Sequence, residues 1–186
     1  MKLNSLHVTD ELWERIPSVV RGLIMRKGVF LGGGAVRDLM TGGYVYNDYD
    51  IFYTNAEVKE KAENALLPSD LKVELPIDSH YSQDLWVIPD GVKIHSIGDP
   101  YFHESIEKAF ESYDYTACQF AMSNQTLYFT DEAMCDAITR TLSLVNPQIE
   151  HTNLVLMRLM KMAGKGYKLP YQQASAFPVF EGGAHG

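Results

Sequence analysis

The sequence predicts an α+β fold, and the stretch from residue 29 to 52 carries most of that expectation. Val29, Phe30 and Leu31 are a brief apolar run, Gly32-Gly33-Gly34 interrupts it, and Ala35 to Met40 read as a short helix. Asp48-Tyr49-Asp50-Ile51-Phe52 then alternates polar and apolar residues as a half-buried strand does. Strand and helix patterns keep alternating after this point, so mixed sheet and flanking helices are expected in one unit.

The glycines have a chemical reading. A chain without Cβ atoms can turn sharply and approach a ligand closely, and unpaired N–H groups at the start of the following helix suit an anion such as a triphosphate. Arg37 could add a charge-assisted fork to the same anion. Asp48 and Asp50, two residues apart on a strand, put both carboxylates on one face, with Tyr49 and Ile51 on the other. Two converging acids suit a divalent metal. Either feature alone is equally well a loop or a solvated strand edge.

Their order narrows the choice. Gly33-Gly34, thirteen residues, then Asp48-Tyr49-Asp50-Ile51 resembles the signature of the polymerase-beta-type nucleotidyltransferases. Gly-Gly-Ala-Val-Arg-Asp at 33 to 38 resembles the head of the bacterial-type tRNA CCA-adding enzyme and poly(A) polymerase family. The resemblance implies a nucleotidyltransferase-type mixed sheet flanked by helices. It also implies Mg2+ held by Asp48 and Asp50, a nucleoside triphosphate held by Gly33, Gly34 and Arg37, and an RNA 3′ end as acceptor.

Length and composition agree with a globular protein. The 186 residues suffice for a proper core, and 46% hydrophobic with 22% charged residues is ordinary globular usage. No apolar run approaches the roughly 20 residues a membrane span needs, and Met1-Lys2-Leu3-Asn4 opens no signal-peptide core, so a cytoplasmic protein is expected. A net charge of −8 argues against general electrostatic coating of nucleic acid, although a local basic patch can hold a few phosphates. Cys118 and Cys135, read as lying on a strand and a helix, lack zinc-site spacing and are expected reduced and structural.

Along the chain, Thr9 or Asp10 can cap a helix whose apolar positions run from Leu12 to Ile24, with a kink at Pro17. Arg21, Arg26 and Lys27 gather at its end, where cations suit the helix dipole. After the acidic strand, Asn55-Ala56-Glu57 opens a charged helix to about Leu67, ended by Pro68-Ser69-Asp70. Leu71 to Leu75, Leu85 to Ile88 and Val92 to Ile97 read as strands, the last two joined at Pro89-Asp90-Gly91. The family carries a third acid on the strand that corresponds to the last of these. Here the available residues are Lys93 and His95, the latter read as a structural donor or an exposed side chain.

Pro100 to Phe110 reads as a helix, and Ser112 to Ala121 as a strand. Tyr113-Asp114-Tyr115-Thr116 resembles the family's Arg-Arg-Asp-Phe-Thr segment, with Tyr113 in place of the arginine before the aspartate. Asp114 is thus a candidate third acidic group, as a metal ligand or a base one layer behind; bonding to a turn backbone is the alternative. A turn at 123–125, a strand over 126–129 and a helix over 131–140 complete the head, and Thr141 to Val145 matches the way the family closes it.

The expected division is a catalytic head over 1–146 and a helical neck with a loose tail over 147–186. Arg158, Lys161, Lys165 and Lys168 recur at helical spacing, which makes either a solvated face or a contact to nucleotide or RNA phosphate. Arg158 and Lys161 are the nucleotide-binding candidates. The base-reading Glu-Asp-x-x-Arg of templating family members has no match near 151–155. Asp38 is expected to brace the glycine turn or cap the short helix. The expected reaction is transfer of a nucleoside monophosphate from the triphosphate to an acceptor hydroxyl. An inactive binding module of the same fold and transfer to a protein are the alternatives.

Overall fold

The computed structural model describes residues 2–42, 48–73, 83–146 and 153–170. The elements in order are β1 (Leu3–His7), α1 (Asp10–Glu14), α2 (Ser18–Ile24), β2 (Val29–Gly32), α3 (Gly34–Met40), β3 (Asp48–Tyr53), α4 (Ala56–Leu66), β4 (Lys72–Val73), β5 (Gln83–Ile88), β6 (Val92–Ile97), α5 (Ile106–Glu111), β7 (Phe120–Ser123), β8 (Thr126–Thr130), α6 (Asp131–Thr139) and α7 (Asn153–Gly164).

The strands form one eight-stranded sheet in the order β1-β8-β7-β2-β3-β6-β5-β4. Neighbours are antiparallel except β3 and β6, which run parallel, so the sheet is mixed and the fold is the expected α+β type. Alternation along the strands gives the sheet two apolar faces. Val29, Leu31, Ile51, Tyr53 and Ile94 point to one, which α2 and α4 cover. Phe30, Phe52 and Ala121 point to the other, where Ala109 and Phe110 of α5 and the ring of Tyr113 pack. Each fully buried Leu, Ile or Phe contributes roughly 1.5–3 kcal/mol. Both faces must stay covered.

Side-chain caps set several helix starts. Asn55, Ser105 and Thr130 each accept from the backbone N–H three residues on, opening α4, α5 and α6. Arg140 adopts left-handed φ, 54°, and stops α6. A third cluster, Tyr115, Ala117, Leu142, Leu144, Val155, Met162 and Tyr167, fastens α7 to the head. Tyr115 Oη donates to the Val155 carbonyl at 3.0 Å, and the Arg140 guanidinium donates to the Lys165 carbonyl at 2.9 Å.

The structure corrects several local expectations. Pro17 divides the first helix into α1 and α2, because a proline mid-helix removes an N–H and clashes one turn back. The helix expected from Pro100 starts only at Ile106, where Ser105 supplies the cap. The strand expected over 112–121 begins at Phe120; Thr116–Cys118 form a 3-10 turn, so Asp114 and Cys118 are not on a strand. Lys165 and Lys168 lie beyond the end of α7 at Gly164, so the basic stripe does not continue along one helix. β1 is additional. The outer part of the strand expected over 71–75, the segment 147–152 and the tail from 171 lie outside the described residues. Among those described, no helix is long and apolar enough to cross a membrane.

Candidate active site

The glycine triplet ends β2 and starts α3, and each position has its own reason to lack a side chain. A Cβ at Gly32 would stand 2.5 Å from Tyr113 Oη and 2.8 Å from the Phe52 ring. Gly33 has φ 71° and ψ −135°, which side-chain-bearing residues rarely adopt. A Cβ there would face Asp50 Oδ2 at 3.8 Å, and one at Gly34 would face Arg37 Nη2 at 3.5 Å. The triplet is a ridge with a phenol, a carboxylate and a guanidinium beside it. The Gly33 N–H donates to the Phe120 carbonyl at 2.8 Å, so a phosphate would meet the α3 amides from Gly34 onward rather than Gly33's own.

β3 runs alongside this ridge, with Gly32 paired to Asp50. Tyr49 and Ile51 are buried on the far face, which leaves Asp48 and Asp50 together on the near face. On the other side of β3, parallel pairing sets Asp48 against Lys93 and Asp50 against His95. Lys93 Nζ lies 3.9 Å from Asp48 Oδ1. Burial raises the Asp50 carboxyl above the usual carboxylate range, and His95 and Lys161 oppose that rise without cancelling it. No group of three or more His, Cys, Asp and Glu that could hold a metal occurs among the described residues.

Asp114, just after α5, faces α7 and forms an ion pair with Arg158. Its backbone carbonyl accepts from the Val145 N–H at 3.0 Å. Arg37 is buried, 1% exposed. Its Nε donates to Asp38 Oδ1 at 2.8 Å, Nη1 contacts Met162 Sδ at 3.6 Å, and the Tyr167 ring lies 5.3 Å from its Cζ. Nη2 comes within 2.7 Å of the same Asp38 oxygen, an ion pair whose angle makes no hydrogen bond. Asp38 also receives Lys165 Nζ at 3.5 Å. Asp38 therefore braces the arginine of α3 and ties it to the end of α7.

These groups enclose a cleft of about 520 Å³, within the size range of small-molecule sites. Gly33, Gly34, Arg37, Asp48, Asp50, Asp114, Arg158 and Lys161 all line it. So does Lys165 of the basic stripe, and so do Phe52, Tyr113, Tyr115, Cys118 and Met162, which sequence reasoning did not assign to the site. Tyr113 is the most informative of these. Burial and then the Asp50 charge push its phenol far above the ordinary value, and its hydroxyl has no hydrogen-bond partner. The replacement of an arginine by Tyr113 was the available signal. Burial also pushes up the Cys118 thiol, which leaves it a poor nucleophile.

Solved structures show the same fold. A Thermotoga maritima CCA-adding enzyme complexed with tRNA matches at TM-score 0.69 and 17% identity, over 95% of this chain and 45% of that one. A CCA-adding enzyme in complex with CTP matches at TM-score 0.67 and 17% identity, over 95% and 44%. The Bacillus stearothermophilus CCA-adding enzyme in complex with CTP matches at TM-score 0.65 and 18% identity, over 91% and 43%. At such identity the likeness shows the fold alone, and this chain spans less than half the length of those proteins. No curated protein matches significantly. The sequence model described as "Gabija anti-defense 2 family protein" matches residues 3–140, most of the chain, and the protein belongs to the Gabija anti-defense 2 family.

Proposed function

We propose that the protein is a magnesium-dependent nucleotidyltransferase that passes a nucleoside monophosphate from a triphosphate to an acceptor hydroxyl with release of pyrophosphate. The observation that carries this reading is the convergence, in one cleft, of the Gly33-Gly34 ridge, the paired carboxylates Asp48 and Asp50, and the cations of α7. The donor set fits Mg2+, which is commonly held by one or two carboxylates together with substrate phosphates rather than by an all-protein cage. Asp48 and Asp50 would hold it. When bound, it would lower the pKa of the attacking hydroxyl and stabilise charge on the phosphate and leaving oxygen.

The chain's own groups would do the positioning. Gly33 and Gly34 let the backbone come close to the triphosphate, and Arg37, Arg158 and Lys161 supply positive charge along its length. Asp114 acts through Arg158, holding the guanidinium at the cleft wall rather than binding metal itself. The acceptor favoured by this reading is an RNA 3′ end, since the Thermotoga maritima CCA-adding enzyme that shares the fold is complexed with tRNA. In the family's setting, transfer would serve an anti-defence role against Gabija. A second reading, a binding module without turnover, is favoured by one observation: Lys93 and His95 stand beside Asp48 and Asp50 in place of an acid.

Incubation with each α-labelled nucleoside triphosphate, Mg2+ and total RNA tests the proposal. Label in RNA, lost in Asp48→Ala and Asp50→Ala, supports it. Label in polypeptide would redirect the acceptor to protein, and triphosphate binding without transfer would favour the binding module.

A further inference from the structure

Among the described residues, Arg37 Nη2, Trp86 Nε1 and Tyr113 Oη are the buried side-chain polar atoms without a hydrogen-bond partner. A buried hydroxyl in that state costs about 1–3 kcal/mol, so its retention calls for a reason. Trp86 packs in the far core under Lys72, away from the cleft. Tyr113 lines the cleft.

The Tyr113 ring is fixed. Phe52 and Phe110 pack against it, with ring centroids 6.2 Å and 5.8 Å away. This leaves the hydroxyl against Gly32, where a Cβ would meet it at 2.5 Å. Gly32 is the strand partner of Asp50, and the next glycine faces Asp50 Oδ2. The phenol thus stands beside Gly32 and the carboxylate beside the adjoining Gly33, and Asp50 is the charge that acts most strongly on the hydroxyl. A protonated phenol beside a carboxylate has one role open to it, as the donor.

We propose that Tyr113 is a positioning residue for Asp50: its hydroxyl donates to the Asp50 carboxylate when the cleft is loaded and fixes the orientation in which that carboxylate binds metal. This rests on the magnesium reading above. Carboxylates that ligate metals are themselves hydrogen-bonded, and loss of such an outer partner typically weakens metal binding 10–100-fold. In this chain the partner comes from residue 113, one of the positions at which the sequence departs from its resemblance.

The test is the Mg2+ dependence of melting temperature in an equimolar mixture of the four ribonucleoside triphosphates, for the wild type, Tyr113→Phe and Asp50→Ala. Tyr113→Phe keeps the ring and removes only the unpartnered hydroxyl, so its metal-free melting temperature should equal or exceed that of the wild type. Its midpoint should move to about 10–100-fold higher Mg2+, and Asp50→Ala should show no Mg2+-dependent shift. A Tyr113→Phe midpoint equal to the wild type, with Asp50→Ala still silent, would overturn the inference and leave the magnesium site standing. A lower metal-free melting temperature for Tyr113→Phe would also overturn it, by showing a structural partner. No Mg2+ response in the wild type would remove the magnesium reading and this inference with it.

Discussion

Asp50 on β3 and His95 on β6 are direct partners in parallel register, one strand spacing apart on the same face of the sheet. Asp48 and Lys93 form the preceding pair, so the two acids of β3 run beside Lys93 and His95 of β6. The paired strands β3 and β6 carry two carboxylates where the resemblance implies three, and the place of the third is held by Lys93 or His95.

That pairing makes His95→Asp informative. A new carboxylate beside Asp50 adds like-charge repulsion without metal and another oxygen ligand with it. The metal-free melting temperature should fall, and the Mg2+ concentration for half-maximal stabilisation should drop several-fold. Thermal melts across a Mg2+ series, with triphosphate present, read both effects.

Asp114 and Asp50 should separate in kinetics. Asp114→Asn weakens the ion pair with Arg158, whose guanidinium is partly exposed, and costs about 0–1 kcal/mol of stability. If Asp114 acts only through Arg158, the transfer rate falls by less than about tenfold. Asp50→Asn removes a charge meant for the reacting centre and should cost at least about a hundredfold. Steady-state rates at saturating Mg2+ decide it; equal losses would make Asp114 a metal ligand.

The glycine ridge can be tested by stability alone. Gly33→Ala forces an L side chain into positive φ, at about 1–3 kcal/mol. Gly32→Ala sets a methyl against Tyr113 Oη and the Phe52 ring. Both should lower the melting temperature, whereas Gly42→Ala has no contact within 4 Å to lose or gain and differs only by its own backbone strain at φ 69°.

Much of this site was legible because local patterns create it. Gly33-Gly34 and Asp48-x-Asp50 are each a short-range signal, and antiparallel pairing of β2 with β3 brings them together. Arg158 and Lys161 were readable as one face of a helix, but the meeting of Arg158 with Asp114 depends on how α7 packs against the 115–118 turn, which no spacing encodes. The strand expected at 112–121 failed for a related reason. Its aromatic residues face two clusters, Tyr113 the α5 side and Tyr115 the neck, so an alternating pattern arose without a strand. β1 escaped notice because an edge strand with little burial carries no apolar alternation.

Away from the cleft, Asp84 bridges Lys59 and Lys72, at 2.5 Å and 2.6 Å. Burial would raise its carboxyl, but the hydrogen bonds from the two lysines outweigh that and hold it below the ordinary aspartate range. A depressed folded value means stability that is present above the unfolded value near 3.9 and lost as pH falls through the folded one. The melting-temperature gap between wild type and Asp84→Asn should be steady between about pH 5 and 8 and close below about pH 4.

The central claim is that Asp48 and Asp50 support nucleotidyl transfer, and paired labelling tests it most directly. The same triphosphate is supplied with label on the α or on the γ phosphate, to the wild type and to the Asp48→Ala, Asp50→Ala double variant, with Mg2+ and RNA. The account predicts α label in the acceptor, γ label released as pyrophosphate, and neither in the double variant. Gamma label in the acceptor, or α transfer that survives loss of both carboxylates, would contradict it.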